Sequence, residues 1–174
     1  MSEANMLKFI IHCVLCFIIF NDTSGKPVSN DTELGVYVPL ETDVKNNKQY
    51  YFGIVYKGNI FQAIQYCNYH NMELLSIETP EENTFLFDTL VNFIGTGRYG
   101  FWTSGTLLPE NHWVWLSTGK PVVHPSWATA PYNTNKSCID VNYIKTSKAL
   151  VWADAKCNDA RHVICETRNT KSLD

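Results

Sequence analysis

The chain has 174 residues, with 14 lysines and arginines against 17 aspartates and glutamates and a formal charge of -3 at pH 7. This length accommodates one domain of ordinary size with a short extension. The basic residues form no run, which argues against a nucleic-acid-binding protein and against an anionic membrane surface as partner, because phosphate binding needs clustered Lys and Arg. Aromatic residues make up 13% of the chain, a proportion typical of a rigid core built around large rings.

The N-terminal segment has the pattern of a secretory signal. Residues 9–20 are apolar, follow Lys8 and give way to a polar stretch, and such a segment is removed from the mature protein. We expect residues 1–25 to be the signal peptide, cleaved before Lys26, and the protein to be secreted and extracellular. A retained anchor is the alternative, but a membrane span needs roughly 20 apolar residues, so we expect no membrane span.

The cysteine count predicts two disulfides. Cys13 and Cys16 leave with the signal, and four cysteines remain in the mature chain. An even number in a secreted chain indicates disulfide pairing, although three connectivities are open at this point. No Cys-x-x-Cys pair remains, which argues against a structural zinc site.

The chain after the signal begins with a polar segment. Residues 26–47 predict a linker or a loosely attached N-terminal arm, with one short alternating stretch at residues 36–38. Residues 50–56 are aromatic and branched and predict a strand that ends in a turn at Lys57 and Gly58. The domain is therefore expected to start near Lys48.

Two helices are predicted next. Asn59 can cap the first helix together with Gln62 three residues later, and its apolar face is Ile60, Ala63, Ile64 and Cys67. Residues 74–77 predict a short buried strand.

The second helix has clear start and stop signals. It is predicted to begin at Pro80, with Thr79 as N-cap, Glu82 as a capping-box residue and Gly95 as its end. The predicted apolar face is Leu86, Leu90 and Phe93, with Phe85 flanking it.

From Arg98 onward, short apolar runs alternate with turn signals. The strand candidates are residues 101–105, 113–116, 138–141, 150–152 and 162–165. Two helices followed by a mostly antiparallel sheet predict an α+β fold.

Cysteines and tryptophans recur in a fixed order along the chain, together with short motifs: Cys67, residues 74–77, Glu81, Glu82, residues 101–105, Trp113, Trp115, Trp127, Cys138, Trp152, Asp154, Cys157 and Cys165. This order resembles that of the C-type lectin domain family, in its short, secreted, insect-type form. It covers residues 48–167 and leaves 168–174 as a C-terminal tail. The resemblance implies the C-type lectin-like fold, with a long loop region and the nested disulfides Cys67–Cys165 and Cys138–Cys157.

The resemblance implies a sugar site that depends on calcium. The first group of calcium ligands along the chain is replaced in this sequence. Calcium takes 6 to 8 oxygen ligands, and vicinal sugar hydroxyls complete its shell. In sugar-binding members, a Glu-Pro-Asn or Gln-Pro-Asp triplet supplies part of that shell. Ala130, Pro131 and Tyr132 stand at the triplet, so only the proline matches. The resemblance implies that the bond before Pro131 is cis.

The remaining ligand positions are also altered. Lys136 occupies an acidic position two residues before Cys138, and Ala153 replaces the Asn of Trp-Asn-Asp. Asp154 is the sole matching ligand, and a lysine beside it would repel a metal ion. We therefore expect no cofactor and no calcium at this site, and interpret Asp154 as capping a turn or pairing with Lys156.

The same loop carries a sequon for N-glycosylation at Asn135, and a second one lies at Asn30. A glycan on Asn135 would crowd the surface where a sugar ligand docks. We expect ligand contacts from Pro131, Tyr132, Asn133, Asn135, Lys136 and Asp154.

Other chemistry is not indicated. His70, His112, His124 and His162 lack metal spacing and are interpreted as surface residues, and there is no nucleophile frame or phosphate loop. The tryptophans are expected in the core, and helix capping accounts for Glu81 and Glu82. We expect no catalytic residues and no enzymatic activity.

These expectations define one preferred function and two alternatives. The preferred one is a secreted recognition protein of C-type lectin fold that binds a glycan or glycoprotein without calcium, with assembly into a homodimer or heterodimer as an option. The first alternative is a calcium-dependent lectin with ligands such as Asn133, Asn135, Asp140 and Asp154. The second is a secreted protein–protein interaction module that binds no glycan.

Overall fold

The structure is a computed structural model that describes residues 48–109, 112–131 and 135–167, and the backbone of residues 35–38. All of these lie in one compact unit, Glu33–Asp174. The predicted signal peptide, the predicted tail, Asn30, Tyr132 and Asn133 lie outside the described residues. Among the described helices, none is long and apolar enough to cross a membrane.

The described elements are two helices and eight strands. The helices are α1 (Ile60–Tyr69) and α2 (Pro80–Ile94). The strands are β1 (Gly35–Val38), β2 (Tyr50–Gly58), β3 (Met72–Leu74), β4 (Arg98–Leu108), β5 (His112–Trp115), β6 (Cys138–Ile144), β7 (Val151–Ala155) and β8 (Arg161–Thr167).

The strands form one sheet in the order β1-β2-β8-β4-β6-β7, with β3 paired to β8 and β5 paired to β4. The β4–β8 pair is parallel and the other described pairs are antiparallel. The predicted α+β class with a mostly antiparallel sheet is confirmed. The strand β1 falls inside the segment predicted as an arm, and it adds to the sheet next to β2.

Helix α1 has the predicted cap and buried face. The Asn59 side chain accepts from the Gln62 backbone N–H at 2.9 Å, and the Gln62 side chain accepts from the Asn59 N–H at 3.0 Å. Cys67 on its buried face is bonded to Cys165 of β8. The second bridge joins Cys138 to Cys157, so the disulfide pairing implied by the family resemblance is confirmed.

Helix α2 begins at Pro80 and is capped at Gly95, as predicted, and Leu86 and Leu90 of its predicted apolar face are buried. Phe93 is 54% exposed, whereas Phe87 is buried with its ring 5.5 Å from that of Tyr143. On the same buried side, Asn83 donates to the Leu150 carbonyl at 3.1 Å and accepts from the Trp152 indole N–H at 3.0 Å. These two hydrogen bonds join α2 to β7 and the residue before it.

The prediction for Glu82 is wrong in its side-chain role. Thr79 caps the helix by accepting from the Glu82 backbone N–H at 3.1 Å, but the Glu82 carboxylate does not return to Thr79. It accepts instead from the Glu78 backbone N–H at 2.8 Å, one residue before the cap. It is buried, and it also accepts from the Tyr50 hydroxyl and from Lys48 Nζ at 3.0 Å. The ammonium lies 34 residues away in sequence, so helix-start patterns alone cannot find it.

Lys48 joins three parts of the chain. Its buried ammonium donates to Glu82 at the start of α2, to Glu166 of β8 and to the Ser76 carbonyl, at 3.0, 3.0 and 3.1 Å. Although burial alone lowers the pKa of Lys48, the two carboxylates raise it above its ordinary value. Burial raises the pKa of Glu166 to about 8, because one lysine offsets only part of the cost of two buried carboxylates.

The prediction of a surface histidine is wrong for His162. It is only 7% exposed, its ring lies 5.5 Å from Tyr99 and 5.7 Å from Phe101, and its Nδ1 is 3.2 Å from the Tyr56 carbonyl. The position lies on the central strand β8, where neighbouring aromatic rings cover it.

Candidate functional site

The loop between β5 and β6 is fixed to the sheet on both sides of its first half. The Val122 N–H donates to the Trp113 carbonyl at 2.9 Å. Further along, the Ala128 N–H donates to the Trp152 carbonyl and the Trp152 N–H donates to the Ser126 carbonyl, both at 2.9 Å. These hydrogen bonds hold the loop beside Trp152 of β7, which precedes Asp154 by two residues in the chain.

A row of indole rings packs between this loop and the core. Trp127 lies 5.3 Å from Trp113 and 5.9 Å from Trp152, and Trp152 lies 5.5 Å from Trp115. Trp115, Trp152 and Trp102 are buried, as predicted, whereas Trp113 and Trp127 are half-buried. The row runs from the core to the surface. The loop is therefore packed on buried rings at one end of the row and presents the half-buried ring of Trp127 at the other.

Asp154 and Lys136 form an ion pair on this face. Lys136 Nζ lies 3.5 Å from Asp154 Oδ1, and both residues are half-buried. The expected partner of Asp154, Lys156, is exposed instead. The pairing of β6 with β7 sets Ile139 opposite Asp154 and Cys138 opposite Ala155, so Lys136, two residues before Cys138, is near Asp154 in space although 18 residues separate them in sequence.

Asp140 cannot join Asp154 at a shared site, because the two carboxylates lie on opposite faces of the sheet. In the β6–β7 pair, Asp154 is opposite Ile139 while Asp140 is opposite Ala153, and successive side chains alternate between faces. Asp140 is buried and accepts from Arg161 Nε at 2.7 Å. Burial raises the pKa of Asp140 despite this guanidinium. Because Asp140 and Asp154 lie on opposite faces, the two carboxylates of the alternative calcium ligand set cannot bind one ion together.

The other predicted contact residues are only partly described. Pro131 is half-buried and Asn135 is exposed, while Tyr132 and Asn133 lie outside the described residues. The expected cis bond is not found: the Ala130–Pro131 bond is trans, the isomer favoured by about 0.5–1 kcal/mol. Within the described ranges, no group of three or more His, Cys, Asp or Glu side chains is arranged to hold a metal ion.

A groove of about 290 Å³ lies beside the Lys48 cluster and is lined in part by Ser117, Thr118 and Lys120 at the start of the same loop. Its charged walls are already paired, since Lys120 contacts Glu78 at 2.8 Å and Lys48 contacts Glu166 at 3.0 Å. The lining of the groove contains no aromatic ring, whereas the loop face, formed by Trp127, Pro131, Asn135, Lys136 and Asp154, carries one. The loop face is therefore the better candidate for recognition.

Comparison with known proteins identifies the family. Residues 56–167 match the family described as Lectin C-type domain. The chain belongs to this family. The resemblance to the C-type lectin domain family is thereby confirmed. The matched region contains α1, α2, both disulfides and the whole loop face.

Relatives of known name include insect lectins and vertebrate selectins. The chain is 26% identical to C-type lectin mosGCTL-7 of Culex quinquefasciatus over 64% of its own length and 69% of that protein. It is 30% identical to C-type lectin 37Da of Drosophila melanogaster over 67% of its length and 64% of that protein. Against human E-selectin the identity is also 30%, over 61% of the chain but only 17% of that larger protein.

Solved structures show the same fold. The mouse scavenger receptor C-type lectin carbohydrate-recognition domain superposes with a TM-score of 0.56 at 26% identity, covering 70% of this chain and 88% of that domain. SPL-1, solved in complex with GlcNAc, gives a TM-score of 0.57 at 20% identity and covers 71% of this chain and 89% of SPL-1. The latter likeness shows the fold alone.

Proposed function

We propose that this protein is a secreted recognition protein that binds a glycan or glycoprotein through the loop face without calcium. The observation that supports it is the ion pair between Lys136 and Asp154. The family's sugar site needs several carboxylate and amide oxygens around one cation, and here an ammonium stands beside the single matching carboxylate.

Lys136 takes the electrostatic role of a bound cation. It neutralises Asp154 at 3.5 Å, and like charges repel strongly at such a distance when both are partly desolvated. A divalent ion would have to displace the ammonium and would then find Asp140 paired with Arg161 on the other face of the sheet. Calcium binding is therefore disfavoured by charge and by ligand number.

Glycan or glycoprotein recognition is proposed from the family and from the composition of the face. One similar structure is a carbohydrate-recognition domain, and the loop combines the half-buried ring of Trp127 with the exposed side chain of Asn135. Aromatic rings offer flat contact area and amides offer both donors and acceptors. The signal-like N-terminus and the two disulfides support secretion, and the family is one of binding domains rather than enzymes.

Calcium titration tests the proposal directly. Calorimetry on the protein from Lys26 onward should show no binding at about 1 mM calcium, the weak end of the range for extracellular modules. Lys136→Glu should gain weak calcium binding, because it places a second carboxylate beside Asp154. Lys156→Glu is the matched control, since it adds the same charge at an exposed site outside the ion pair.

A glycan and glycoprotein array completes the test. Binding should be the same in calcium and in EDTA. Binding that disappears in EDTA would establish the calcium-dependent alternative, and capture of one protein irrespective of its glycans would establish the protein-interaction alternative. Either result would replace the proposed function.

A further inference from the structure

Three exposed basic residues, Arg98, Lys145 and Lys148, meet at the turn between β6 and β7, and we call this cluster the basic tip. Arg98 at the start of β4 is the strand partner of Ile144, and Lys145 follows Ile144 in the chain. Lys148 follows Ser147, whose N–H donates to the Ile144 carbonyl at 2.9 Å. Because β4 and the turn are far apart in sequence, no run of basic residues reveals this cluster.

The backbone positions of the three basic residues are close together. Directly paired residues of antiparallel strands have Cα atoms about 4.5–5.5 Å apart, and consecutive Cα atoms are about 3.8 Å apart. The two ends of a β-turn lie less than about 7 Å from each other. Each of the three Cα atoms is therefore within about 11 Å of the Cα of Ile144, so one extended ligand can contact all three side chains.

The backbone of the basic tip is held by hydrogen bonds on two sides. Ser147 Oγ lies 2.6 Å from the Ile144 carbonyl oxygen and 2.8 Å from that of Ala149. The Tyr143 hydroxyl donates to the Gly95 carbonyl at 2.6 Å, which joins β6 to the end of α2. A surface whose backbone is already ordered loses less conformational entropy when a ligand binds.

The positive charge of the basic tip is not neutralised by neighbouring acids. Residues 91–100 and 142–150 contain no Asp or Glu. The C-terminus of α2 offsets only about half an elementary charge. Among the described residues, no acidic side chain pairs with the three basic residues of the tip, whereas the ion pairs that do form involve Lys48, Lys120, Lys136 and Arg161. The tip is therefore positive on a chain whose formal charge is -3.

The number of charges favours an anionic polysaccharide over nucleic acid or a membrane. Duplex DNA is typically bound through about 6–10 phosphate contacts, and anionic lipid surfaces through clusters of about 4–8 Lys and Arg. Three cations are fewer than either partner needs. A guanidinium forms two parallel hydrogen bonds with a carboxylate, and the exposed hydroxyls of Thr96 and Thr146 can bond to the hydroxyls of a sugar.

We propose that the basic tip binds anionic polysaccharides, whose sulfate and carboxylate groups contact Arg98, Lys145 and Lys148. The surface is separate from the loop face, because Lys136 precedes β6 and Lys145 follows it, and this strand of 7 residues is about 20 Å long. The choice of an extracellular ligand rests on the proposed secretion of the protein. It does not require that the loop face binds a glycan.

The test is calorimetry of the secreted protein with a heparin-derived hexasaccharide in EDTA, between about 50 and 200 mM salt. Three contacts predict a slope of log K against log salt of about -2 to -3. K145Q/K148Q removes two of them, so it should weaken binding about tenfold at the lower salt, equivalent to 1.4 kcal/mol, and reduce the slope to about -1. The control K57Q/K156Q removes two exposed lysines elsewhere and should weaken binding far less.

Three results would overturn the proposal. These are no binding of the hexasaccharide, equal weakening in K145Q/K148Q and K57Q/K156Q, or tighter binding at the same salt to a short DNA duplex or to vesicles of phosphatidylcholine and phosphatidylserine. Failure here is distinguishable from failure of the loop face. K145Q/K148Q should keep any array binding through the loop face, and Lys136→Glu should bind the hexasaccharide as K57Q/K156Q does. Hexasaccharide binding lost only in Lys136→Glu would assign this ligand to the loop face and reject the basic tip.

Discussion

At the scale of single residues, the charge at position 136 determines whether the loop face attracts a divalent ion. Lys136 and Asp154 sit on neighbouring segments that the β6–β7 pairing brings together, and their ion pair spans 3.5 Å. A carboxylate at position 136 would concentrate negative charge there and attract a divalent ion. An ammonium turns the same place into a neutral, hydrogen-bonding surface.

Glu166 gives a second prediction at this scale. Burial raises its pKa from 4.5 to about 8, so between these values the folded state binds more protons than the unfolded state. Stability is therefore fully present below pH 4.5 and declines as the pH rises to about 8. Glu166→Gln should remove this decline and leave Lys48 paired with Glu82. Urea unfolding at pH 5 and pH 9 measures it.

The control for Glu166 is Glu81→Gln, which removes an exposed carboxylate from the first turn of α2. It should keep the wild-type difference between the two pH values. A Glu166→Gln protein with that same difference would contradict the assignment of the titration to the Lys48 cluster.

His162 should act in the opposite direction. Burial lowers its pKa below 6.5, and Lys57 adds to this effect. As the pH falls below 6.5 the unfolded state takes up a proton that the folded state resists, so the free energy of unfolding falls on acidification. His162→Gln should flatten the change in melting temperature between pH 7 and pH 5. The exposed His124 supplies the control, and His124→Gln should behave as wild type.

At the scale of elements, local sequence signals predict where the helices begin and end. They do not predict which distant residues the helices contact. The caps at Asn59 and Thr79 and the stop at Gly95 depend on residues within one helical turn, so the sequence predicts them. The Asn83–Trp152 hydrogen bond joins residues 69 positions apart, and no local pattern predicts it. Phe93 lies on the same side of α2 as Leu86 but is exposed, so helical periodicity alone does not decide which ring is buried.

The site shows the same division. The sequence predicts that Lys136 and Asp154 belong to the loop face, because both stand at motif positions. It assigns the wrong lysine to Asp154, since proximity along the chain favours Lys156 while strand pairing favours Lys136. The sequence also gives no signal that Asp140 and Asp154 lie on opposite faces, which depends on the register of β6 with β7.

Strand packing yields a prediction at Gly105 in β4. A Cβ built there would lie 2.5 Å from Cδ1 and 2.9 Å from Cβ of the buried Ile139. Because Ile139 has no space to move, Gly105→Ala should destabilise the protein by about 1–3 kcal/mol. Gly97→Ala is the comparison variant: its added Cβ would lie 2.6 Å from Cε2 of Tyr99, but that ring is half-buried rather than buried, so the expected cost is smaller. Chemical denaturation of both variants decides whether β4 packs this tightly.

At the scale of the whole molecule, the two disulfides differ in what they connect. Cys67–Cys165 spans 98 residues and ties α1 to β8, whereas Cys138–Cys157 spans 19 residues around the β6–β7 pair. The larger loop restricts the unfolded chain more. Lys48 connects the same region by hydrogen bonds, because its ammonium links Glu166 of β8 to Glu82 at the start of α2.

Paired replacement separates these contributions. Replacing Cys67 and Cys165 by Ala should cost about 4–5 kcal/mol, and replacing Cys138 and Cys157 should cost about 3 kcal/mol. The first variant should therefore unfold at the lower urea concentration. It should also lose structure in α1 first, because that helix keeps only its packing on the sheet. The reverse order of urea midpoints would mean that the loop face, rather than the α1–β8 junction, limits the stability of the fold.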